Sequence, residues 1–167
     1  VGVGFAAYRR DGVCIAAARG VPPPWITTIH GAEVWALYVA AKHSMPGVSF
    51  RSDCESVVNT FQKGYHYATS PTRRLARAWH LVFAAMDDFA EPSEHVDLAW
   101  MPAHSAESAV GVAMLSNGAL LSELDRRGNN LADTLAKEGA ELHRTPTCFR
   151  NEAKLIRNVA IYAATLL

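Results

Sequence analysis

Apolar residues alternate with smaller or polar ones at the start of the chain, which predicts a β-hairpin. Every second residue from Val1 to Ala7 is apolar, and the alternation resumes from Val13 to Ala17. The pair Asp11-Gly12 between the two runs suits a tight turn. The following segment, VPPPW, cannot continue a strand interior, because proline lacks the backbone N–H that a sheet requires.

Helical spacing of apolar residues begins at Gly31 and ends at the segment SMPG, which predicts a first helix with Glu33 in its opening turn. The segment GVSFRSD has the pattern of a short strand, and the helix predicted after it has Ser52 and Glu55 at capping-box spacing. Asp53 therefore lies where a strand leads into a helix. A third, longer helix is predicted in SPTRRLARAWHLVFAAMDDF, with a buried stripe of Leu75, Trp79, Val82, Phe83 and Met86.

The second half of the chain predicts one more strand, a long loop and two helices. HVDLAWMPAH alternates until Pro102 ends the strand, and the stretch after His104 has weak periodicity, which indicates an inserted loop. The helix after Gly128 places three leucines on one face and carries Asp133 in its opening turn, and an amphipathic run closes the chain. This order of elements predicts an α/β fold with a mixed sheet flanked by helices.

Composition and charge restrict the classes of protein to which this chain can belong. Its 167 residues suffice for one domain with a hydrophobic core. A formal net charge of zero excludes a protein that binds polyanions through its overall charge. Cys14, Cys54 and Cys148 are widely spaced, so neither a disulfide framework nor a zinc site is predicted, and an intracellular location, cytoplasmic or nuclear, is expected. No apolar run approaches the roughly 18 residues of a membrane span, and no membrane partner is expected.

Three acids occupy similar positions, since Glu33, Asp53 and Asp133 each fall near the start of a predicted helix. If the sheet brings these helix starts together, the carboxylates could converge on a hard divalent cation such as Mg²⁺, which prefers oxygen ligands. Such a set is typical of two-metal phosphodiester hydrolases. The alternative is that each acid only complements the partial positive charge at a helix N-terminus, and spacing alone does not decide between the two.

Two phrases in the second half resemble the type 1 ribonuclease H family, particularly the domain carried by retrotransposon polyproteins. They are WMPAHS at 100–105 and GNNLADTLAKEGA at 128–140, where the family has Trp-x-Pro-Gly-His and Gly-Asn-Glu-x-Ala-Asp-x-Leu-Ala-Lys. The matching residues are Trp100, Pro102, His104, Gly128, Asn129, Ala132, Asp133, Leu135, Ala136 and Lys137. Upstream, GAEVWALYVAAKH resembles the family's first helix with its catalytic glutamate at Glu33, and FRSDCESVVNTF resembles the strand-to-helix junction with its catalytic aspartate at Asp53.

The resemblance implies a ribonuclease H-like domain over residues 1–144, followed by a C-terminal helical extension at 145–167. It implies that Glu33, Asp53 and Asp133 bind Mg²⁺ or Mn²⁺, and that His104 is a mobile loop histidine that moves protons or assists product release. The implied substrate is an RNA/DNA hybrid, recognised through phosphates and 2′-hydroxyls and cut in its RNA strand to leave a 3′-hydroxyl and a 5′-phosphate. A reverse transcriptase module of a parent polyprotein is an expected partner.

Basic and amide side chains are candidate contacts to this substrate. Arg73, Arg74, Arg127 and Asn129 are assigned to substrate binding, and each phosphate contact would make binding salt-dependent. The alternative is a solvated helix face on which the arginines balance neighbouring acids.

Four departures from the family pattern suggest an impaired enzyme. The family's first strand, with a further aspartate, has no counterpart before the hairpin, and Asp11 belongs to the turn and does not replace it. Ala103 replaces a glycine, an insertion follows His104, and Asn130 replaces a glutamate. Two cations held about 4 Å apart repel each other, and three carboxylates offset less of that repulsion than four. The alternatives are an inactive domain of this fold that binds nucleic acid or protein, an exonuclease, or an integrase-like transferase.

Overall fold

The computed structural model of the chain describes residues 1–45, 47–87 and 96–165. Within them, the four predicted strands and the five predicted helices follow one another in the predicted order, and one short helix is added between the second and third predicted helices. The strands are β1 (Val3–Tyr8), β2 (Cys14–Gly20), β3 (Phe50–Ser52) and β4 (Leu98–Trp100). The helices are α1 (Ile29–Lys42), α2 (Glu55–Gln62), α3 (Tyr65–Ala68), α4 (Ala76–Asp87), α5 (Glu123–Glu141) and α6 (Thr147–Thr165).

The predicted hairpin is confirmed, because β1 and β2 run antiparallel with Phe5 opposite Ala18. Its turn uses the Asp-Gly pair as expected. The backbone N–H of Val13 donates to Oδ1 of Asp11 over 3.0 Å, and Gly12 has a φ of 84°, a conformation that glycine adopts without a steric penalty. The local pattern was sufficient here because both strands and their turn depend on residues close together in the sequence.

The predicted single mixed sheet is wrong, although the α/β class is confirmed. β3 and β4 form a separate parallel pair, with Phe50 opposite Leu98 and Ser52 opposite Trp100. Within the described ranges, the strands make two two-stranded sheets, so β1 pairs only with β2 and β3 only with β4. Hydrophobic alternation identifies strands, but it does not specify which backbone edges come within hydrogen-bonding distance of each other.

Helix α5 connects the two sheets, since it packs on β1 and β2 and also contacts β3. Its approach to β1 depends on glycine: a Cβ on Gly4 would lie 2.4 Å from the backbone oxygen of Ala132 and 2.5 Å from the backbone nitrogen of Ala136. Helices α1, α2 and α4 enclose the main apolar core together with Phe50 of β3 and Leu98 of β4. Its largest fully buried side chains are those of Trp79, Val34, Val57, Val58 and Val82.

Helix α5 begins earlier than predicted, at Glu123 and not after Gly128. A capping box starts it: the Ser122 hydroxyl accepts from the backbone N–H of Asp125, and the Asp125 carboxylate accepts from the backbone N–H of Ser122. Asp133 therefore lies in the middle of a helix, and the predicted opening-turn position is wrong. Gly128 remains inside the helix, where a Cβ would touch the ring of Tyr8 at 3.4 Å.

The starts of α1 and α2 also differ from the prediction. The Thr28 hydroxyl caps α1 by accepting from the N–H of Gly31 over 3.0 Å, so Glu33 lies one turn into the helix. The predicted capping box at the start of α2 is wrong, because Cys54 is the N-cap residue and makes no side-chain cap. Asp53 lies between β3 and α2, and its predicted position at a strand-to-helix junction is confirmed.

Helix α4 confirms the predicted apolar stripe, with Trp79, Val82 and Met86 buried in the core. It begins at Ala76, so Arg73 precedes the helix that was expected to contain it. The predicted helix end at 88–89 and the predicted strand start at 95 lie outside the described residues.

The inserted loop is confirmed as an irregular stretch, and it is ordered by contacts with β4. The Ser116 hydroxyl accepts from the backbone N–H of Trp100 over 2.8 Å, and the backbone N–H of Ser116 donates to the Trp100 carbonyl over 3.0 Å. Met101, Leu115 and Leu121 form a small buried cluster beneath the loop. The insertion thus folds back onto the strand that precedes it.

The closing amphipathic helix is confirmed as α6, and all of its described residues are exposed. Among the described residues, none of the helices combines the length and apolar character that a bilayer crossing requires. The division into a domain at 1–144 and an extension at 145–167 stays a prediction.

Candidate metal-binding site

Glu33 is one of the three candidate acids, and its surroundings shift the pKa of its carboxyl. It lies half-buried on α1, and burial raises the pKa of its carboxyl to about 7, with the negative charges of Asp53 and Asp133 adding to the effect. The three candidate acids come from α1, from the junction after β3 and from the middle of α5. The charges of Asp53 and Asp133 act on Glu33, so the fold brings these three acids near one another although they are far apart in the sequence. Their role as ligands stays a prediction.

Asp53 is held by two residues of the motifs that carry the family resemblance. The side-chain amide of Asn129 donates to Oδ2 of Asp53 over 3.2 Å, which links α5 to the junction after β3. The indole N–H of Trp100 donates to the Asp53 backbone carbonyl over 3.1 Å. These two bonds orient both the main chain and the side chain of Asp53.

Asp133 is engaged by a lysine one helical turn further along α5. Nζ of Lys137 donates to Oδ2 of Asp133 over 2.6 Å, while the lysine side chain remains 71% exposed and the aspartate 33% exposed. An exposed pair at this helical spacing contributes only about 0.3–0.5 kcal/mol, so a divalent cation could displace the lysine. Lys137 thus competes for the carboxylate that a cation would use.

The three acids have the ligand type that a hard cation prefers, but their side chains are not arranged as a ready binding site. All three acids offer carboxylate oxygens, which Mg²⁺ and Mn²⁺ prefer. Across residues 1–45, 47–87 and 96–165, however, no three His, Cys, Asp or Glu side chains are close enough to form a ready metal-binding group. A cation at this site would require side-chain movements, beginning with the release of Asp133 from Lys137.

His104 lies on the exposed loop after β4, and its backbone is strained. Its φ of 47° is in the left-handed region, which residues other than glycine rarely adopt. No hydrogen bond or ion pair among the described residues joins it to Glu33, Asp53 or Asp133. The predicted catalytic histidine is therefore exposed, and its catalytic role stays a prediction.

Among the three arginines predicted to contact substrate, Arg73 packs against an aromatic ring. Its guanidinium lies 4.1 Å from the centre of the Tyr67 ring, and its charge, after burial, contributes to lowering the pKa of His30. Arg74 and Arg127 are exposed, in the turn before α4 and on α5 respectively.

Sequence reasoning missed three features of this site. The hydrogen bond from Trp100 to Asp53 could not have been found from the sequence, because it joins the end of β4 to the residue after β3, 47 positions away. The pairing of Lys137 with Asp133 could have been found from their helical spacing. The contact of His30 with Cys54 and Ser56, next to Asp53, could not have been found, because the residues come from different helices.

The chain matches no protein-family model, and no curated protein or solved structure shows significant similarity to it. Any assignment of activity therefore depends on the residues of the chain itself.

Proposed function

We propose that this chain is a ribonuclease H-type nuclease domain that hydrolyses the RNA strand of an RNA/DNA hybrid with Mg²⁺ or Mn²⁺. The observation that carries the proposal is the pKa of Glu33, raised to about 7 by burial and by the charges of Asp53 and Asp133. Burial and the two neighbouring negative charges make the ionised form of Glu33 unfavourable in the apo protein. A bound divalent cation would offset that repulsion.

Glu33, Asp53 and Asp133 would hold the cation. When bound, such a cation lowers the pKa of an attacking water and stabilises the leaving oxygen. Asn129 keeps the Asp53 carboxylate oriented, and Trp100 keeps its backbone in place. Both act by positioning, as outer partners of metal-binding carboxylates do.

The remaining predicted residues would contact the substrate or assist the reaction. His104, on its exposed loop, would be the mobile histidine that moves protons or assists product release. Backbone phosphates would be contacted by Arg73, Arg74 and Arg127. Asn129 would contact the substrate in addition to its hydrogen bond with Asp53.

The arrangement of elements also supports the proposal. A hairpin and a parallel pair, bridged by α5, are what would remain of a ribonuclease H-like mixed sheet if its first strand were not among these residues. Both β1 and β3 are paired on one side only within the described ranges, so a further strand could pair with either.

The test is cleavage of a hybrid labelled separately in each strand, with Mg²⁺ and then Mn²⁺ titrated into metal-free protein. We expect internal cuts in the RNA strand alone, and none after chelation. Asp53→Asn should reduce cutting to background, whereas Glu141→Gln, an exposed acid on the same helix as Asp133, should leave it unchanged. Release of single nucleotides from one end would instead indicate an exonuclease.

A second candidate is an inactive domain of the same type that binds a hybrid without cutting it. Two observations favour it. Lys137 donates a hydrogen bond to the Asp133 carboxylate, and no ready group of three metal ligands occurs in the described part of the chain. This candidate predicts hybrid binding that is unaffected by chelation and by Asp53→Asn, with no cleavage at any Mg²⁺ or Mn²⁺ concentration. Cleavage that appears only after a strand with an aspartate is added before Val1 would show that the fourth acid is required.

A further inference from the structure

Three polar side chains meet beside the start of α2, outside the group of acids. The sulfur of Cys54 lies 3.7 Å from Nδ1 of His30 and 3.3 Å from Oγ of Ser56. The same Oγ lies 2.8 Å from Nδ1 of His30. His30 belongs to the first turn of α1, while Cys54 is the N-cap residue of α2 and does not use its thiol as a cap. The cluster therefore joins two helices that are far apart in the sequence.

The separation of sulfur and nitrogen matches that of two ligands on one tetrahedral cation. Zinc binds sulfur at about 2.3 Å and imidazole nitrogen at about 2.0–2.1 Å, so a tetrahedral angle places the two ligand atoms roughly 3.6 Å apart. The distance between Cys54 Sγ and His30 Nδ1 is 3.7 Å. The two atoms thus already lie at about the separation that one tetrahedral cation requires.

We infer that Cys54 and His30 form a binding site for a thiophilic divalent cation such as Zn²⁺, held by the cysteine sulfur and by Nδ1 of the histidine. Water completes the coordination, because no third His, Cys, Asp or Glu joins the pair in the described ranges. The hydroxyl of Ser56 currently interacts with Nδ1, and it is exposed and free to turn toward solvent when the cation takes that nitrogen.

The ligand chemistry separates this site from the proposed Mg²⁺ site. Thiolate and imidazole select soft or borderline cations, whereas carboxylates select hard ones. The inference does not depend on the proposed nuclease activity, since it concerns different atoms and a different class of cation.

The test is a titration of metal-free, reduced protein with Cd²⁺ and with Co²⁺, followed by the ultraviolet absorption that appears when a thiolate binds these ions. Cys14 and Cys148 are both exposed, so the starting protein is the double variant Cys14→Ser, Cys148→Ser, which removes their competing thiols. We expect a saturable band at one equivalent of cation. The cation should also raise the melting temperature, because it binds only the folded arrangement of α1 and α2.

Variants of the two ligands decide the outcome. Cys54→Ser should abolish the band, and His30→Ala should weaken binding by at least tenfold, since even outer partners of metal ligands change affinity by about 10–100-fold. Ser56→Ala, which keeps both ligands, should retain the band and serves as the control for folding. The inference is overturned if His30→Ala binds as tightly as the starting protein, if the band survives Cys54→Ser, or if Ser56→Ala loses it.

Discussion

The indole nitrogen of Trp100 donates a hydrogen bond to the backbone carbonyl of Asp53, with 3.1 Å between the two atoms. Trp100 ends β4 and Asp53 follows β3, the strand that runs parallel to it, so the bond closes the end of this two-stranded sheet. Asn129 on α5 binds the carboxylate of the same aspartate. The position of Asp53 is therefore set from two sides by residues more than forty positions away.

Replacing Trp100 by phenylalanine tests this positioning. An aromatic ring is retained, whereas the donor and part of the indole packing are lost, so we expect the free energy of unfolding to fall by at least about 1 kcal/mol, the typical contribution of one hydrogen bond. Cleavage of the hybrid should fall further than stability explains, because Asp53 loses its main-chain anchor. Urea denaturation and the cleavage assay measure the two effects. Trp25→Phe, at a residue that is 37% exposed, is the control, and equal behaviour of the two variants would contradict the prediction.

The raised pKa of Glu33 predicts a pH dependence of stability. The folded protein binds this proton more tightly than the unfolded chain, so the stabilisation is present below pH about 4.5 and is lost as the pH rises to about 7. At 1.36 kcal/mol per pH unit, the change is up to about 3 kcal/mol. Glu33→Gln should remove this slope and should be the more stable protein at pH 8. Denaturant midpoints at pH 5 and pH 8 measure it. If the stability of Glu33→Gln fell between pH 5 and pH 8 as steeply as that of the control Glu141→Gln, the raised pKa could not belong to Glu33.

Mg²⁺ should stabilise the protein more at pH 8 than at pH 5. Protons compete with the cation for Glu33, whose pKa is about 7, so the carboxylate is fully available only at the higher pH. At a cation concentration ten times the dissociation constant, the expected stabilisation is about 1.4 kcal/mol. Thermal melts with and without Mg²⁺ at both pH values measure it. Asp53→Asn should lose the effect, and an equal response at pH 5 would indicate binding elsewhere.

Removing Lys137 should strengthen cation binding. Lys137→Ala frees the Asp133 carboxylate from a contact of 2.6 Å. Because an exposed ion pair at this helical spacing is worth about 0.3–0.5 kcal/mol, we expect Mg²⁺ affinity to rise by about twofold, with little change in stability. Calorimetric titration measures the affinity. Arg144→Ala removes a comparable exposed pair, that with Glu141, and should leave Mg²⁺ affinity unchanged. Weaker binding by Lys137→Ala would mean that the lysine supports the site.

A methyl group at Gly4 should separate α5 from β1. The new Cβ would lie 2.4 Å from the backbone oxygen of Ala132, and helix backbone cannot yield as a flexible side chain can. We expect a loss of about 1–3 kcal/mol and a weaker Mg²⁺ response, because Asp133 follows Ala132 on the displaced helix. At Gly20 the nearest atom to a Cβ is 3.8 Å away, so Gly20→Ala should be tolerated. Equal stability of the two variants in urea would contradict the close approach.

Features that depend on neighbouring residues were predictable. The hairpin followed from alternation around an Asp-Gly pair, and the buried stripe of α4 followed from helical spacing. The start of α5 was missed because Gly128 and the two asparagines after it are weak helix formers. The capping box of Ser122 and Asp125 and the packing of Tyr8 against Gly128 outweigh that weakness.

By itself, the sequence determined the strands, the helices and the junction at Asp53, because each depends on the periodicity and turn chemistry of adjacent residues. Only the tertiary structure decided which carboxylates raise the pKa of Glu33, that Lys137 holds Asp133, and that His30 meets Cys54. It also decided that the strands form two separate pairs. Interactions between charges and between backbone edges depend on distances of a few ångströms across the fold, and those distances are set by the packing of α5 on β1 and by the core beneath β3 and β4.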